Sequence, residues 1–172
     1  WRDGGVSCVH VTLAIWESAR ETLSVIGQWN RLLEQNADLI ALATSVEDVE
    51  RIVASGRTAI IYGFQDTSPF EDDIELVEIF HQLGVRIAQL TYNVQNRVAS
   101  GCWEPDENGV SKFFGRNVIA EMNRVGMVVD VSHCTERSCF DAIEYSSRPI
   151  AITHANPSEF VGTDIELNRR NK

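Results

Sequence analysis

Residues 127–154 read MVVDVSHCTERSCFDAIEYSSRPIAITH. Two short apolar runs, 127–132 and 149–153, flank a stretch of helical period at 135–146. This pattern predicts strand, crossover helix and parallel strand, the unit from which α/β sheets are built. Met127, Val128 and Val129 are apolar at successive positions instead of alternating, as a parallel strand covered on both faces requires. Each strand runs out into a histidine, His133 and His154. Parallel strands share one C-terminal edge, so both imidazoles are delivered to one mouth of the sheet, within reach of a single ion. Spacing alone leaves open that these are two unrelated capping histidines.

The same alternation extends toward the N-terminus. Further strands are predicted at 6–13, 39–43, 58–64 and 85–91, making six in all, with amphipathic helices at 18–34, 69–83 and 114–125. The first helix is expected to bury Leu23, Ile26, Leu32 and Leu33, and the second Ile74, Val77 and Phe80. Thr135, three residues before Ser138, supplies half of a capping box, and Gly84 and Gly126 stand where helices turn into strands. Residues 93–111 break the rhythm as a long polar loop at a strand C-terminal end, where α/β enzymes place substrate contacts. No repeat or linker divides the chain, which predicts one domain over 1–172.

With 172 residues, 44% of them hydrophobic, the chain can bury its own core. It is short for a closed eight-stranded barrel, which takes about 250 residues. A formal net charge of −10 opposes phosphate backbones and anionic lipid, so nucleic acid is not expected as a partner. No apolar run approaches the roughly 20 residues of a membrane span. The opening Trp1-Arg2-Asp3-Gly4-Gly5 carries neither an initiator Met nor the apolar core of a secretory signal. Cys8, Cys102, Cys134 and Cys139 form no CxxC pair and read as buried free thiols, which favours a reducing, cytoplasmic setting. A nucleotide-binding domain has no support, since neither GxGxxG nor GxxxxGK[ST] occurs. His81, at a helix C-terminus, is expected to be structural, and His10, inside the first strand, to be a satisfied interior histidine.

From Gly63 to Arg170 the chain resembles the membrane (renal) dipeptidase family, zinc peptidases of the metal-dependent amidohydrolase superfamily. The resemblance rests on Gly63-Phe64-Gln65, on Leu83-Gly84-Val85-Arg86 leading to Leu90-Thr91-Tyr92-Asn93, and on Phe114-Gly115-Arg116. It continues through Met122-Asn123-Arg124-Val125-Gly126 into Asp130-Val131-Ser132-His133, then Ser147-Arg148-Pro149, Ile152-Thr153-His154-Ala155-Asn156 and Asn168-Arg169-Arg170-Asn171. It implies a TIM-like (β/α)8 barrel, of which this chain is expected to be an internal piece with about six strands, cut before Trp1 and after Lys172.

It also implies a metallo-dipeptidase with two zinc ions, the second held by His133 and His154. Gln65 stands where the family has a bridging Glu; a neutral amide bridges two cations poorly, so a single zinc is the other expectation. Asp66 is expected to point away if Gln65 faces the mouth. Tyr92 takes the place of a substrate-polarising His, and its phenol can still donate a hydrogen bond to a carbonyl or oxyanion. Arg170, with Arg169 beside it, matches an arginine that grips the substrate carboxylate, and Asn93 joins it as a substrate contact. The family's His-x-Asp ligand motif and its late general-base Asp have no counterpart here. The partner implied is a dipeptide, and the intact enzyme is expected as a homodimer. The alternative is a barrel-derived binding or scaffold protein that has lost hydrolysis.

Overall fold

The structure, a computed structural model, describes residues 4–155. Five strands form one wholly parallel sheet: β1 (Cys8–Ala14), β2 (Ile40–Leu42), β3 (Thr58–Phe64), β4 (Val85–Gln89) and β5 (Val128–Asp130). The sheet path is β1-β3-β4-β5, with β2 also pairing with β3. β1 pairs along the length of β3, β2 pairs with its first residues (Thr58 to Ile60), and β4 with its last (Tyr62 to Phe64). Helices α1 (Ala19–Gln35), α2 (Val46–Ala54), α3 (Glu75–Gln82), α4 (Phe114–Val125) and α5 (Glu136–Tyr145) make the crossovers.

The predicted sixth strand, 149–153, shrinks to one parallel bridge, Ala151 to Asp130. The reason lies in side-chain competition. Asp130 Oδ1 accepts the Ser132 N–H at 2.9 Å, and Ser132 Oγ accepts the Thr153 N–H at 3.0 Å, so side chains take the donors that a longer ladder would use. Helix 69–83 is likewise broken in two. Ser68–Phe70 forms a 3₁₀ turn, Glu71 adopts φ 50°, and Asp73 restarts the chain by accepting the Glu75 N–H at 3.0 Å. Helix α2 was not expected from periodicity, yet it carries its own cap: Ser45 accepts the Asp48 N–H.

Helix α1 has the full capping box, Ser18 with Glu21. Its buried stripe differs from expectation. Thr22 and Ile26 are buried with Trp29 and Leu33 packed against the core, whereas Leu23 and Leu32 are exposed. Helix α5 is capped by Thr135, which accepts from Ser138, as the half capping box predicts. At the end of α4, Gly126 adopts φ 89°, the left-handed stop that suits glycine. The core lies between the helices and β3, whose Phe64 meets Phe70 and Phe80 edge-on at centroid distances of 5.8 and 5.1 Å.

The loop at 93–111 is less polar in place than its composition suggests. Ala99 bridges Val110, and Val98, Ala99, Cys102 and Val110 are buried. Asp66 anchors its start: its carboxylate accepts from the Tyr92 N–H at 2.8 Å, from Ser68 and from the Asn96 amide. Burial pushes the Asp66 pKa up, with those hydrogen bonds opposing. All four cysteines are free thiols.

Candidate metal centre at the sheet mouth

His133 and His154 leave neighbouring strand ends and turn toward each other, with Nε2 to Nε2 at 3.0 Å. Behind each ring stands an oxygen. Asn93 Oδ1 lies 2.6 Å from His133 Nδ1, and Thr153 Oγ1 lies 2.7 Å from His154 Nδ1. Asn93 and His133 both adopt left-handed backbone, φ 68° and 63°, a conformation that Asn and His visit more readily than most residues. Two such residues facing one another mark a locally strained site. Tyr92 stacks on the His133 ring with centroids 4.4 Å apart, and the exposed Trp16 meets Tyr92 edge-on at 5.7 Å.

Gln65 reaches sideways across the mouth and donates its amide to Thr12 Oγ1 at 2.9 Å. Asp66, next in sequence, is buried on the opposite side of the strand in the loop network described above. Gln89, fully buried on β4, donates to the backbone oxygens of Gln65 and Thr91, while its own Oε1 has no hydrogen-bond partner.

The expectation that His10 is a satisfied interior histidine is corrected. Its Nε2 is buried without a partner, and the ring lies directly over Gly63, where an added Cβ would come within 1.8 Å of Nε2. Burial pushes the His10 pKa below its ordinary value, a shift that Asp130 opposes and His154 reinforces. A histidine inside the predicted strand 6–13 carries no signal of this. The glycine across the ladder was the available hint. His81 sits in the last turn of α3, where its backbone oxygen accepts from Arg86. Asn93, expected among substrate contacts, turns its carbonyl oxygen to His133. The Arg170 assignment lies outside the described residues.

Whether this donor set fits a metal can be judged from its spacing. Two imidazole nitrogens bound at about 2.0–2.1 Å to one tetrahedral ion stand about 3.3 Å apart. The observed 3.0 Å is close to that separation. Among the described residues, no group of three or more His, Cys, Asp or Glu comes together around a metal position. The donors gathered here are therefore two imidazoles, with neutral oxygens nearby.

A parallel sheet with crossover helices that gathers an imidazole pair at its C-terminal mouth is the α/β arrangement in which strand ends deliver side chains to one shared site. The chain belongs to the membrane dipeptidase family, peptidase family M19, whose sequence model matches residues 2–168. It is 33% identical over 141 residues to dipeptidase tcpJ of Claviceps purpurea, covering 81% of this chain and 33% of that protein. An uncharacterized dipeptidase of Schizosaccharomyces pombe is 31% identical over 157 residues, covering 88% and 37% of the two chains. The chain thus spans about a third of the length of these relatives. An amidohydrolase from Pseudomonas aeruginosa superposes with a TM-score of 0.93 at 39% identity, over 99% of this chain and 50% of that one. A Rhodobacter sphaeroides metallo peptidase, solved with a phosphinate mimic of L-Ala-D-Ala, shares the fold at a TM-score of 0.75 and 22% identity, over 82% and 42%. No helix among the described residues is long and apolar enough to cross a membrane.

Proposed function

We propose that this chain carries part of the active site of a zinc-dependent dipeptidase, with His133 and His154 as ligands of one zinc ion. The observation that carries this is the 3.0 Å approach of the two Nε2 atoms at the sheet mouth. A zinc ion held there by His133 and His154 would supply Lewis-acid chemistry and activate water for attack on the amide. The chain's own residues do the rest. Tyr92, stacked on His133, holds its phenol at the rim, suited to donate a hydrogen bond to a substrate carbonyl or to the oxyanion that develops from it. Arg170 clamps the free carboxylate of a dipeptide through a bidentate guanidinium fork. Asn93 contributes to the substrate side of the site through its amide nitrogen, its oxygen being engaged with His133.

Gln65 is the point at which this site departs from a two-metal centre. Thr12 holds its amide nitrogen, which leaves the carbonyl oxygen as the donor it can offer, without the charge of a carboxylate. One tightly held zinc is the expected stoichiometry. A dipeptide is the partner in this scheme, and a homodimer the assembly of the intact enzyme. His133→Ala and His154→Ala are each expected to abolish stoichiometric zinc by elemental analysis; metal retained in either variant defeats the ligand assignment. Gln65→Glu is expected to raise metal content and dipeptide turnover together, and no change in either would argue against Gln65 facing the metal.

A further inference from the structure

We propose that Asp130, acting through the Thr153 hydroxyl, is the positioning residue that sets the tautomer of His154, and that Asn93 does the same for His133. The proposal rests on the metal reading above for its purpose. Its structural content stands on hydrogen-bond bookkeeping alone.

Asp130 is buried, at 1% exposure, and its carboxylate gathers donors from one direction. Oδ1 takes the Ser132 N–H at 2.9 Å and the Ser132 hydroxyl at 2.7 Å, and Oδ2 takes the Thr153 hydroxyl at 2.5 Å. A carboxylate only accepts, so the one proton on Thr153 Oγ1 points to Asp130. That same oxygen lies 2.7 Å from His154 Nδ1. Its proton being committed, Thr153 has only lone pairs to offer the ring, and the His154 Nδ1 must be the donor. A neutral ring protonated at Nδ1 carries its lone pair on Nε2.

The other ring is held by the same logic with a different acceptor. Asn93 Oδ1, 2% exposed as a residue, lies 2.6 Å from His133 Nδ1 and also receives the Cys102 thiol at 3.5 Å. A carbonyl oxygen that takes two donors again requires His133 to carry its proton on Nδ1. Both Nε2 atoms then present lone pairs to each other across 3.0 Å, an arrangement that favours a cation between them. Neither ring is oriented by chance. The strand end supplies Asp130 and His133, the next supplies Thr153 and His154, and the loop supplies Asn93.

The decisive measurement is the imidazole ¹⁵N shifts of metal-free protein by NMR at pH 8, with zinc affinity determined separately by chelator competition. In the wild type both rings are expected as Nδ1–H tautomers. Thr153→Val removes the hydroxyl while keeping the shape, and is expected to release His154 into a tautomer mixture and weaken zinc binding 10- to 100-fold. Thr153→Ser is expected to retain both properties. For Asn93, Asn93→Gly keeps the left-handed backbone while deleting the amide, and is expected to release His133 alone. Wild-type His154 protonated on Nε2, or a Thr153→Val protein with its tautomer unchanged and zinc affinity within twofold, overturns the proposal. Because the tautomers are read without metal, failure of the zinc assignment would leave that result intact and show separately as His133→Ala binding zinc like the wild type.

Discussion

Gly63→Ala should destabilise the protein through a single contact, and that contact can be isolated. A Cβ at position 63 would lie 1.8 Å from His10 Nε2, 2.6 Å from Cδ2 and 2.9 Å from Cε1, against an ordinary contact of 3.4–4 Å. The imidazole must therefore retreat by about 1.6 Å, and it sits between paired strands, with His10 opposite Ile61 and Thr12 opposite Gly63. Overpacking of this kind costs about 1–3 kcal/mol, of which replacing a glycine returns about 0.4–1 kcal/mol by restricting the unfolded chain. The net expectation is a loss of about 1–2 kcal/mol, seen as a fall of about 0.5–1 M in the urea midpoint for a slope near 2 kcal/mol/M. His10→Ala removes both the clash and the unpartnered nitrogen. The double variant should accordingly lie within about 0.5 kcal/mol of His10→Ala, giving a coupling energy of at least about 0.5 kcal/mol. Additive losses in that cycle would refute the placement of the ring over Gly63.

Two further perturbations test other parts of the structure. The depressed His10 pKa means that the unfolded chain takes up the proton first. Its contribution to stability is present above the unfolded value of about 6.5 and is lost as pH falls toward the folded one. Urea midpoints at pH 7.5, 6.5 and 5.5 should decline less steeply in His10→Leu than in the wild type, and equal slopes would exclude the effect. Asp141, 4% exposed, accepts the buried Val110 N–H at 3.0 Å and pairs with Arg137 at 2.9 Å. Asp141→Ala should cost about 1–3 kcal/mol by orphaning that N–H and should speed hydrogen exchange at Val110, whereas Asp141→Asn, which keeps an acceptor, should cost less. A change within about 0.3 kcal/mol for Asp141→Ala would mean that the loop is held elsewhere.

The parallel strands were legible because burial on both faces leaves uninterrupted runs such as Ala59-Ile60-Ile61-Tyr62. The convergence of His133 and His154 followed from the same rule, since sharing a sheet edge is a property of topology. What sequence concealed was governed by side chains that act locally. Asp130 and Ser132 cut short two strands by taking backbone donors, and Glu71 and Asp73 split a helix whose apolar period was intact. The stripe of α1 was misjudged for a related reason: Thr22 counts as polar, yet its hydroxyl is satisfied by the Ser18 oxygen, so it is buried where Leu23 is not. Asn96 reads only as loop polarity, Asp66 as a residue turned from the mouth and Asn93 as a substrate contact, although Asp66 and Asn96 pin the start of the loop and Asn93 ties it to His133.

The charge at the mouth follows from these placements. The side chains at the proposed ion are two imidazoles, with Tyr92 stacked on one of them, and the residue proposed for the bridging position, Gln65, is neutral where a carboxylate would otherwise offset much of a divalent charge. Asp130 is the buried carboxylate behind this set, and it reaches the mouth only through Thr153. Nitrogen donors backed by a remote anion suit zinc and other borderline cations, whereas magnesium and calcium depend on direct oxygen ligands that carry charge. The relay through Thr153 therefore does more than orient a ring. It brings the buried Asp130 carboxylate to bear on a proposed ligand where Gln65 contributes no charge. A site so arranged should lose zinc more readily than one with a carboxylate in contact, and Gln65→Glu should slow zinc release to a chelator even when Thr153 is valine, because the two changes supply negative charge by separate routes.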